Sequence, residues 1–383
     1  MKGILYMRVI IFYASYGGGH LSAANSIKQY LEEHYKNYNV IMIDCMKYIN
    51  LGIEKITTNS YNLMAKKAPW AWGTIYKYSE KGPVAHICNI TNKLFSIKLY
   101  KLFEEYQPDV VISTHPFSSQ MVAILKSEGK TNCKLATILT DFASNDQWLA
   151  YNEYVDYFFV SHEGMRQELI SKNIPGNKVF ATGIPLSNRF LKHFDRKKIK
   201  ESFDLDLNKK TILFFGGGEF GLGKEQTVRI LKAFIDNIGD SYQIIVISGK
   251  NTKIQEKFEK LVQETNSSSK VQVYGYTNEV PELMSISDLV VTKPGGLTTT
   301  ESLASGLPIV AINPIPGQEV ENAQYLESQG IAVWIRPKED PNETIQELLS
   351  NEQELKHMKI RSKLAAKKNS TRDICSIIFC NAN

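Results

Sequence analysis

The chain has 383 residues, of which 43% are hydrophobic and 22% are charged, an ordinary globular composition whose length predicts two domains. Its five cysteines form no CxxC pair and leave an odd count, which favours reduced thiols in a cytoplasmic protein over a disulfide framework. No run reaches the ~18 apolar residues of a membrane span. The sequence therefore predicts a protein that lies on a membrane at most.

Charge is unevenly distributed along the chain. The net charge is +5, but residues 1–200 hold 25 Lys and Arg against 16 Asp and Glu, and residues 201–383 hold 20 against 24. A basic half beside an acidic half predicts that the two halves meet different partners.

The first half alternates strand-like and helix-like segments. The apolar run MRVIIFYA at 7–14 reads as a buried strand, and residues 20–35 read as an amphipathic helix. Short β-rich runs follow at 39–45, 109–114, 134–140 and 157–161. This alternation predicts an α/β domain with a parallel sheet and helices on both faces.

A polar, charged stretch at 196–210 marks the predicted domain boundary, and a second alternating series follows it. We expect an N-terminal domain at 1–195, a C-terminal domain at 209–355 and a Lys-rich helical tail at 356–383, with packing of the tail back on the first domain as one option. The predicted strands of the second series lie at 211–218, 242–249, 270–276, 288–296, 308–314 and 331–335.

Each half opens in the same way, with a strand, three glycines (17–19 and 216–218) and a helix. Glycine lets the backbone approach a ligand closely, and a helix N-terminus attracts anions. A tight strand–helix turn is the plain alternative. The first run does not complete a dinucleotide fingerprint, because Ser22 replaces the third glycine. The second does not complete a Walker A loop, because Glu225 replaces the Ser or Thr that would hold Mg²⁺. The remaining interpretation is a two-domain enzyme that binds a nucleotide sugar.

The most informative stretch is TKPGGLTTTESLASGLPIVAINPIPGQEVENAQYL at 292–326. Hydroxyls and backbone amides at its first helix start suit a diphosphate, and the Glu301 carboxylate suits ribose hydroxyls. Gln318, Glu319 and Asn322 offer the mixed donors and acceptors that a sugar needs. Helix capping is the alternative for each residue alone. Together, at consecutive strand ends, they predict a ligand site.

The whole chain resembles the diacylglycerol glycosyltransferases. The motifs that carry the resemblance are GGGH (17–20), STHPF (113–117), TDFASNDQW (140–148), GIP (183–185), FGGG (215–218), KPGGLTTTES (293–302) and GQEVENA (317–323). The resemblance implies a GT-B fold, two Rossmann-like domains facing across a cleft, with inversion at the anomeric carbon. It also implies no cofactor and no metal, since the UDP-sugar is a co-substrate.

The resemblance also assigns roles to single residues. In the first domain it implies that Gly18 and Gly19 line the site beside the departing diphosphate, that His20 is the general base, and that Asp141 orients His20 or replaces it. A histidine suits that task because its ordinary pKa of ~6.5 lies near neutrality. Donor binding would fall to Gly217, Gly218, Tyr276, Thr277, Gly296, Thr298, Thr299, Glu301, Gln318, Glu319 and Asn322.

The sequence departs from the family pattern inside the TDF…W motif. Asn145 stands where the family usually carries a histidine, and Ala150 stands where another is expected. Asparagine cannot take up a proton as histidine does. The departure therefore makes His20 and Asp141 the stronger candidates for taking up the proton.

Residues 55–101 combine eight lysines with one acid, Glu80, and several aromatic side chains. This mixture fits an anionic membrane surface and capture of a diacylglycerol acceptor. Nucleic acid is the disfavoured alternative, since nothing else resembles a nucleic-acid module, and a solvated face is the plain one. The predicted acceptor and membrane residues are Lys66, Lys67, Trp70, Trp72, Lys77, Lys81 and Trp148.

The leading interpretation is transfer of a hexose from a UDP-sugar to the 3-hydroxyl of 1,2-diacylglycerol, at the cytoplasmic face of the cell membrane. The bacterial branch of the family favours UDP-glucose, and successive transfers are one option. The alternatives are UDP-galactose as donor, an enzyme like UDP-GlcNAc 2-epimerase, and a non-catalytic nucleotide-sugar sensor.

Overall fold

The structure is a computed structural model that describes residues 6–15, 18–49, 83–216 and 224–380. Contacts divide the chain into two compact units. The first comprises Met1–Asn188, Pro316–Gln318 and Lys367–Asn383, and the second comprises Arg189–Ile315 and Glu319–Ala366. Each unit holds a six-stranded sheet whose paired strands all run parallel.

The first sheet has the strand order β2-β1-β3-β4-β5-β6. Its strands are β1 (Met7–Tyr13), β2 (Tyr38–Asp44), β3 (Val110–Ser113), β4 (Lys134–Ile138), β5 (Tyr157–Phe159) and β6 (Val179–Phe180). The helices of this unit are α1 (Gly19–His34), α2 (Cys45–Ile49), α3 (Pro83–Tyr106), α4 (Pro116–Ser127) and α5 (Glu163–Ser171). Short 3₁₀ turns lie at Asp146–Trp148, Asn152–Tyr154, Gly176–Lys178 and Asn188–Leu191.

The second sheet has the order β12-β11-β10-β7-β8-β9. Its strands are β7 (Lys210–Phe215), β8 (Tyr242–Ile247), β9 (Val271–Tyr274), β10 (Leu289–Thr292), β11 (Ile309–Ile312) and β12 (Ala332–Ile335). The helices are α6 (Arg196–Ser202), α7 (Lys224–Asn237), α8 (Thr252–Glu264), α9 (Val280–Ile286), α10 (Gly296–Ala304), α11 (Gln318–Ser328), α12 (Pro341–Ser350) and α13 (Glu352–Ala365). A last helix, α14 (Ser370–Cys380), belongs to the first unit.

Strand β1 shows why its run is continuously apolar. Ile10 and Phe12 pack into one core of the first unit, whereas Val9 and Ile11 pack into another on the opposite face. Successive side chains of a strand point to opposite faces, so a strand covered on both sides needs apolar residues at every position. The predicted α/β architecture with two parallel sheets is therefore confirmed.

Three features differ from the sequence prediction. The two-residue strand β6 has no signal in the sequence. The C-terminal residues form two helices, α13 and α14, which belong to different units. The charged stretch 196–210 lies within the second unit, where Arg196 donates to the carbonyl oxygens of Ser285 (2.6 Å) and Ile286 (2.8 Å).

In both sheets the strand order reverses at one place, between β1 and β3 in the first and between β7 and β10 in the second. Loops that follow such neighbouring strands diverge to opposite sides, which leaves a crevice at the carboxyl ends of the strands. The loops after β1, β3, β7 and β10 are therefore the places to look for ligand-binding residues.

Candidate active site

His20 lies in the first turn of α1, directly after the loop that follows β1. Its Nδ1 atom lies 2.6 Å from the carbonyl oxygen of Thr114, which follows β3. The Thr140 hydroxyl lies 3.1 Å from the same nitrogen, and the Thr114 hydroxyl donates to the carbonyl oxygen of His20 (3.0 Å). Residues from three strand ends thus fix the ring.

These contacts define the tautomer of His20. A carbonyl oxygen only accepts hydrogen bonds, so Nδ1 carries the proton and Nε2 keeps its lone pair. Burial of the ring lowers the pKa of His20 to about 4, and the Thr114 hydrogen bond offsets part of that effect. His20 is therefore a neutral imidazole across the physiological range, with one nitrogen ready to accept a proton.

A second histidine, His115, lies beside His20. Its ring meets that of His20 edge to face, with the centroids 4.7 Å apart. His115 also caps α4, because its Nδ1 accepts from the backbone N–H of Phe117 (3.3 Å). Burial lowers the pKa of His115 well below its ordinary value, and the neighbouring His20 lowers it further. Both rings are thus uncharged at neutral pH.

The TDF…W motif follows β4. Asp141 directly follows Thr140 and is half-buried. The Asn145 side chain caps the 3₁₀ turn Asp146–Trp148 by accepting from the backbone N–H of Gln147 (2.7 Å). Asn145 therefore has a structural use where a histidine was expected.

Trp148 was expected at a surface for the acceptor or the membrane. The structure corrects this, because Trp148 is 4% exposed and belongs to the core of the first unit, against α4 and its neighbours. An indole in a core is not available to a bilayer.

Gly19 is the first residue of α1, and Gly18, which precedes it, differs from glycines that the fold requires. Gly18 has φ −81°, a conformation open to any residue, and a Cβ atom built there meets no described atom within 4 Å. Gly216, after β7, is the opposite case, because a Cβ there would lie 2.2 Å from Cε2 of Phe258. The space above Gly18 is open among the described residues, whereas the space above Gly216 holds a side chain.

In the second unit, α10 begins beside the point where the strand order reverses. Gly296 is its first residue, Thr298 and Thr299 lie in its first turn, and no side chain in the described part of the chain caps its N-terminus. The Thr299 hydroxyl is buried and lacks a hydrogen-bond partner among the described residues. Burial raises the pKa of Glu301 to about 8. This helix start thus presents free amides, an unpaired hydroxyl and a protonated carboxyl group.

Helix α11 begins at the end of the neighbouring strand β11. Glu319 accepts from the backbone N–H of Ile315 (2.7 Å), and buried Asn322 donates to the carbonyl oxygen of Pro294 (3.0 Å). The buried Gln318 Oε1 has no partner among the described residues. Asn322 therefore ties the predicted hexose residues to the turn before α10.

Tyr276 and Thr277 lie in the loop after β9. The Tyr276 ring is 62% exposed, with the Lys250 ammonium 5.2 Å from its centroid. Its hydroxyl donates to Asn278 (2.8 Å), and the Thr277 hydroxyl accepts from the backbone N–H of Glu279 (3.0 Å). An exposed aromatic face of this kind is available for stacking on a base.

Several predicted residues lie outside the described part of the chain. They are Gly217, Gly218, Lys66, Lys67, Trp70, Trp72, Lys77 and Lys81. The stated roles of these residues stay predictions.

Residues 6–15, 18–49, 83–216 and 224–380 contain no cluster of three or more His, Cys, Asp or Glu side chains suited to a metal ion. Among the helices in those ranges, none has the length and hydropathy needed to cross a bilayer.

Sequence reasoning missed Thr114, His115 and Lys293. Thr114 and His115 belong to the quoted STHPF motif, but only the pairing of β1 with β3 brings them to His20. Lys293 directly follows the buried strand β10 and precedes Pro-Gly-Gly, a placement that could have marked it.

Two family matches cover most of the chain. Residues 20–186 match the family described as monogalactosyldiacylglycerol (MGDG) synthase, and residues 195–365 match glycosyl transferases group 1. The processive diacylglycerol beta-glucosyltransferase of Staphylococcus carnosus (strain TM300) is 30% identical over 92% of this chain and 87% of its own length. The protein of that name from Bacillus subtilis (strain 168) is 29% identical over 92% and 89%.

Solved structures with the same fold include MnaA from S. aureus, determined with UDP, at a TM-score of 0.67 and 13% identity over 98% of this chain and 97% of that one. MurG from Acinetobacter baumannii has a TM-score of 0.63 and 15% identity, over 97% of this chain and 99% of that one. Anabaena Alr3699/HepE, determined with UDP, has a TM-score of 0.58 and 14% identity, over 97% of this chain and 99% of that one.

The two Rossmann-like sheets, together with the matches to glycosyl transferases group 1 and to the diacylglycerol beta-glucosyltransferases, identify a glycosyltransferase of the GT-B fold class, here a hexosyltransferase. The predicted GT-B fold is thereby confirmed. The chain belongs to the diacylglycerol glycosyltransferase family. The relatives that match it over nearly its full length include the processive diacylglycerol beta-glucosyltransferases.

Proposed function

We propose that this enzyme transfers glucose from UDP-glucose to the 3-hydroxyl of 1,2-diacylglycerol, with inversion at the anomeric carbon and without a metal. Membership of the family supports hexosyl transfer to diacylglycerol. The names of the bacterial relatives favour glucose, and favour successive transfers.

One observation carries the proposal: the hydrogen bond from His20 Nδ1 to Thr114 O leaves the Nε2 lone pair available, with no partner among the described residues. Glycosyl transfer to an alcohol must remove the hydroxyl proton as the new bond forms. A neutral imidazole held in one tautomer meets that need as general base. The proton moves from the acceptor hydroxyl to Nε2, and the acceptor oxygen bonds to C1 of the hexose.

The donor is proposed to bind in the second unit. There the free amides and the Thr299 hydroxyl at the start of α10 suit the diphosphate, and Glu301 suits the ribose. Gln318, Glu319 and Asn322 would hold the hexose. As C1 leaves the β-phosphate oxygen, the electron pair stays on UDP, and helix-terminal amides stabilise the added charge.

We further propose that the enzyme works at the cytoplasmic face of the membrane as a peripheral protein. The basic composition of residues 55–101 supports this, since lysines with aromatic side chains favour an anionic bilayer.

The deciding experiment supplies diacylglycerol in anionic vesicles with UDP-glucose or UDP-galactose in separate reactions that contain EDTA. We expect a β-glucolipid from UDP-glucose alone, and a loss of about 10²–10⁴-fold in rate for His20→Ala. His34→Ala is the matched control, because His34 lies exposed near the end of α1.

Product from UDP-galactose alone would show that UDP-galactose, and not UDP-glucose, is the donor. Loss of product in EDTA would contradict a metal-independent mechanism, and an α-linked product would contradict inversion at the anomeric carbon. Turnover of a UDP-sugar without acceptor would favour the epimerase-like alternative, and binding without turnover would favour the sensor.

A further inference from the structure

Lys293 lies at the switch point of the second sheet. Strands β7 and β10 are neighbours, with Val291 paired to Phe214, and Lys293 immediately follows the end of β10. The chain then passes through Pro294 and Gly295 into α10. Lys293 is therefore placed where open α/β sheets bind their ligands.

The surroundings of Lys293 hold a second charge. Glu319 is oriented by its hydrogen bond from Ile315 N–H, and its Oε1 would lie 3.6 Å from a Cβ atom at Gly295. Asn322 fixes the same turn through Pro294 O. The carboxylate of Glu319 thus sits directly against the Lys293–Gly296 turn.

Lys293 and Glu319 interact electrostatically, and no hydrogen bond or ion pair joins them among the described residues. Burial lowers the pKa of Lys293, and the field of Glu319 opposes that effect. Burial likewise raises the pKa of Glu319. Within the described residues the Lys293 ammonium makes neither a hydrogen bond nor a close ion pair. A desolvated ammonium in this position is costly unless an anion reaches it.

We propose that the Lys293 ammonium binds the diphosphate of the sugar nucleotide and holds it through transfer. This inference rests on the proposed function and deepens it, because it assigns the diphosphate a side-chain cation within this chain. The adjoining start of α10, with its uncapped amides and the unpaired Thr299 hydroxyl, supplies neutral donors to the same anion.

The role in transfer follows from charge. When the bond between C1 and the β-phosphate oxygen breaks, its electron pair stays on that oxygen and the diphosphate gains negative charge. Lys293 donates hydrogen bonds to it and remains an ammonium, so no proton is transferred. Its attraction to Glu319 weakens as the diphosphate binds, which leaves the Glu319 carboxylate for hexose hydroxyls.

The test compares the affinities of UDP and uridine, which differ only in the diphosphate, by calorimetry. We expect Lys293→Gln to raise the Kd of UDP at least tenfold and to leave the Kd of uridine within twofold. Lys257→Gln, at an exposed lysine of α8, is the control and should change neither.

Two further variants separate loss of the diphosphate contact from misfolding of the site. Lys293→Gln leaves Glu319 without its counter-charge, so Glu319→Gln and the double variant K293Q/E319Q are compared as well. UDP carries no hexose, so Glu319→Gln alone should keep UDP affinity, and the double variant should lose it tenfold.

The outcomes separate the two proposals. UDP affinity within threefold of wild type in both Lys293→Gln proteins would overturn the inference and leave the proposed function standing. An equal loss of uridine affinity would also overturn it, since the change would then act on the shape of the site. Absence of UDP binding by the wild-type enzyme would overturn the proposed donor itself, and the inference with it.

Discussion

The Nδ1 atom of His20 lies 2.6 Å from the carbonyl oxygen of Thr114, although the two residues are 94 positions apart in the chain. This contact joins the helix after β1 to the end of β3 and fixes which ring nitrogen carries the proton. The chemistry assigned to His20 follows from this contact with the backbone.

The first prediction concerns the acid limb of the pH–rate profile. Burial lowers the pKa of His20 to about 4, so this proposed general base stays deprotonated well below its ordinary value near 6.5. We expect kcat/KM to remain level from pH 8 to about pH 5 and to fall only as the pH approaches 4. Initial rates across that range measure it, and a limb centred near pH 6.5 would contradict it.

The second prediction concerns Gly18. A methyl group there meets no described atom and requires no change of φ, so Gly18→Ala should fold as stably as the wild type. We expect its transfer rate to fall at least about tenfold, because the added methyl occupies space assigned to the ligand. Thermal unfolding and rate are measured together, and full activity would show that no ligand approaches Gly18.

Gly216 gives the opposite expectation. A Cβ atom there would lie 2.2 Å from the Phe258 ring, so Gly216→Ala should lower the free energy of unfolding by about 1–3 kcal/mol. Adding Phe258→Leu should restore part of that loss by making room. Chemical denaturation of the two proteins provides the measurement, and equal stability of Gly216→Ala and wild type would refute the clash.

These two glycines show what the sequence alone predicts. Both belong to glycine runs after the first strand of a sheet, and the pattern assigns both runs to ligand binding. The apolar runs predicted the strands well, because a strand buried on both faces leaves a continuous signal. The use of a single glycine depends on a ring more than 40 residues away, which no local pattern records. Lys293 and Trp148 are similar cases, because their surroundings come from distant segments.

The next prediction concerns Glu301, whose pKa burial raises to about 8. The folded state then binds more protons than the unfolded state between about pH 4.5 and 8, so this group lowers stability as the pH rises through that window. Glu301→Gln should therefore raise Tm more at pH 8.5 than at pH 5. Scanning calorimetry at both pH values tests this, and an equal shift at both would contradict it.

The last prediction concerns Thr371 in α14. Its hydroxyl donates to the carbonyl oxygen of Leu186 (2.9 Å) and accepts from the backbone N–H of the same residue (3.0 Å), all in a buried setting. Thr371→Val should cost about 1–3 kcal/mol of unfolding free energy, because both backbone groups lose their partner. Thr371→Ser keeps the hydroxyl and should cost much less, and similar losses for the two variants would argue against the hydrogen bonds.

Helix α14 also sets the timing of folding during synthesis. One core of the first unit packs Ile374, Ile378 and Phe379 against residues of β1 and α1. The ribosome makes residues 189–366 between these segments, a delay of roughly ten to forty seconds at ordinary elongation rates. Throughout that interval this face of the first sheet has α1 but lacks α14. The first unit therefore completes this core only after translation reaches α14.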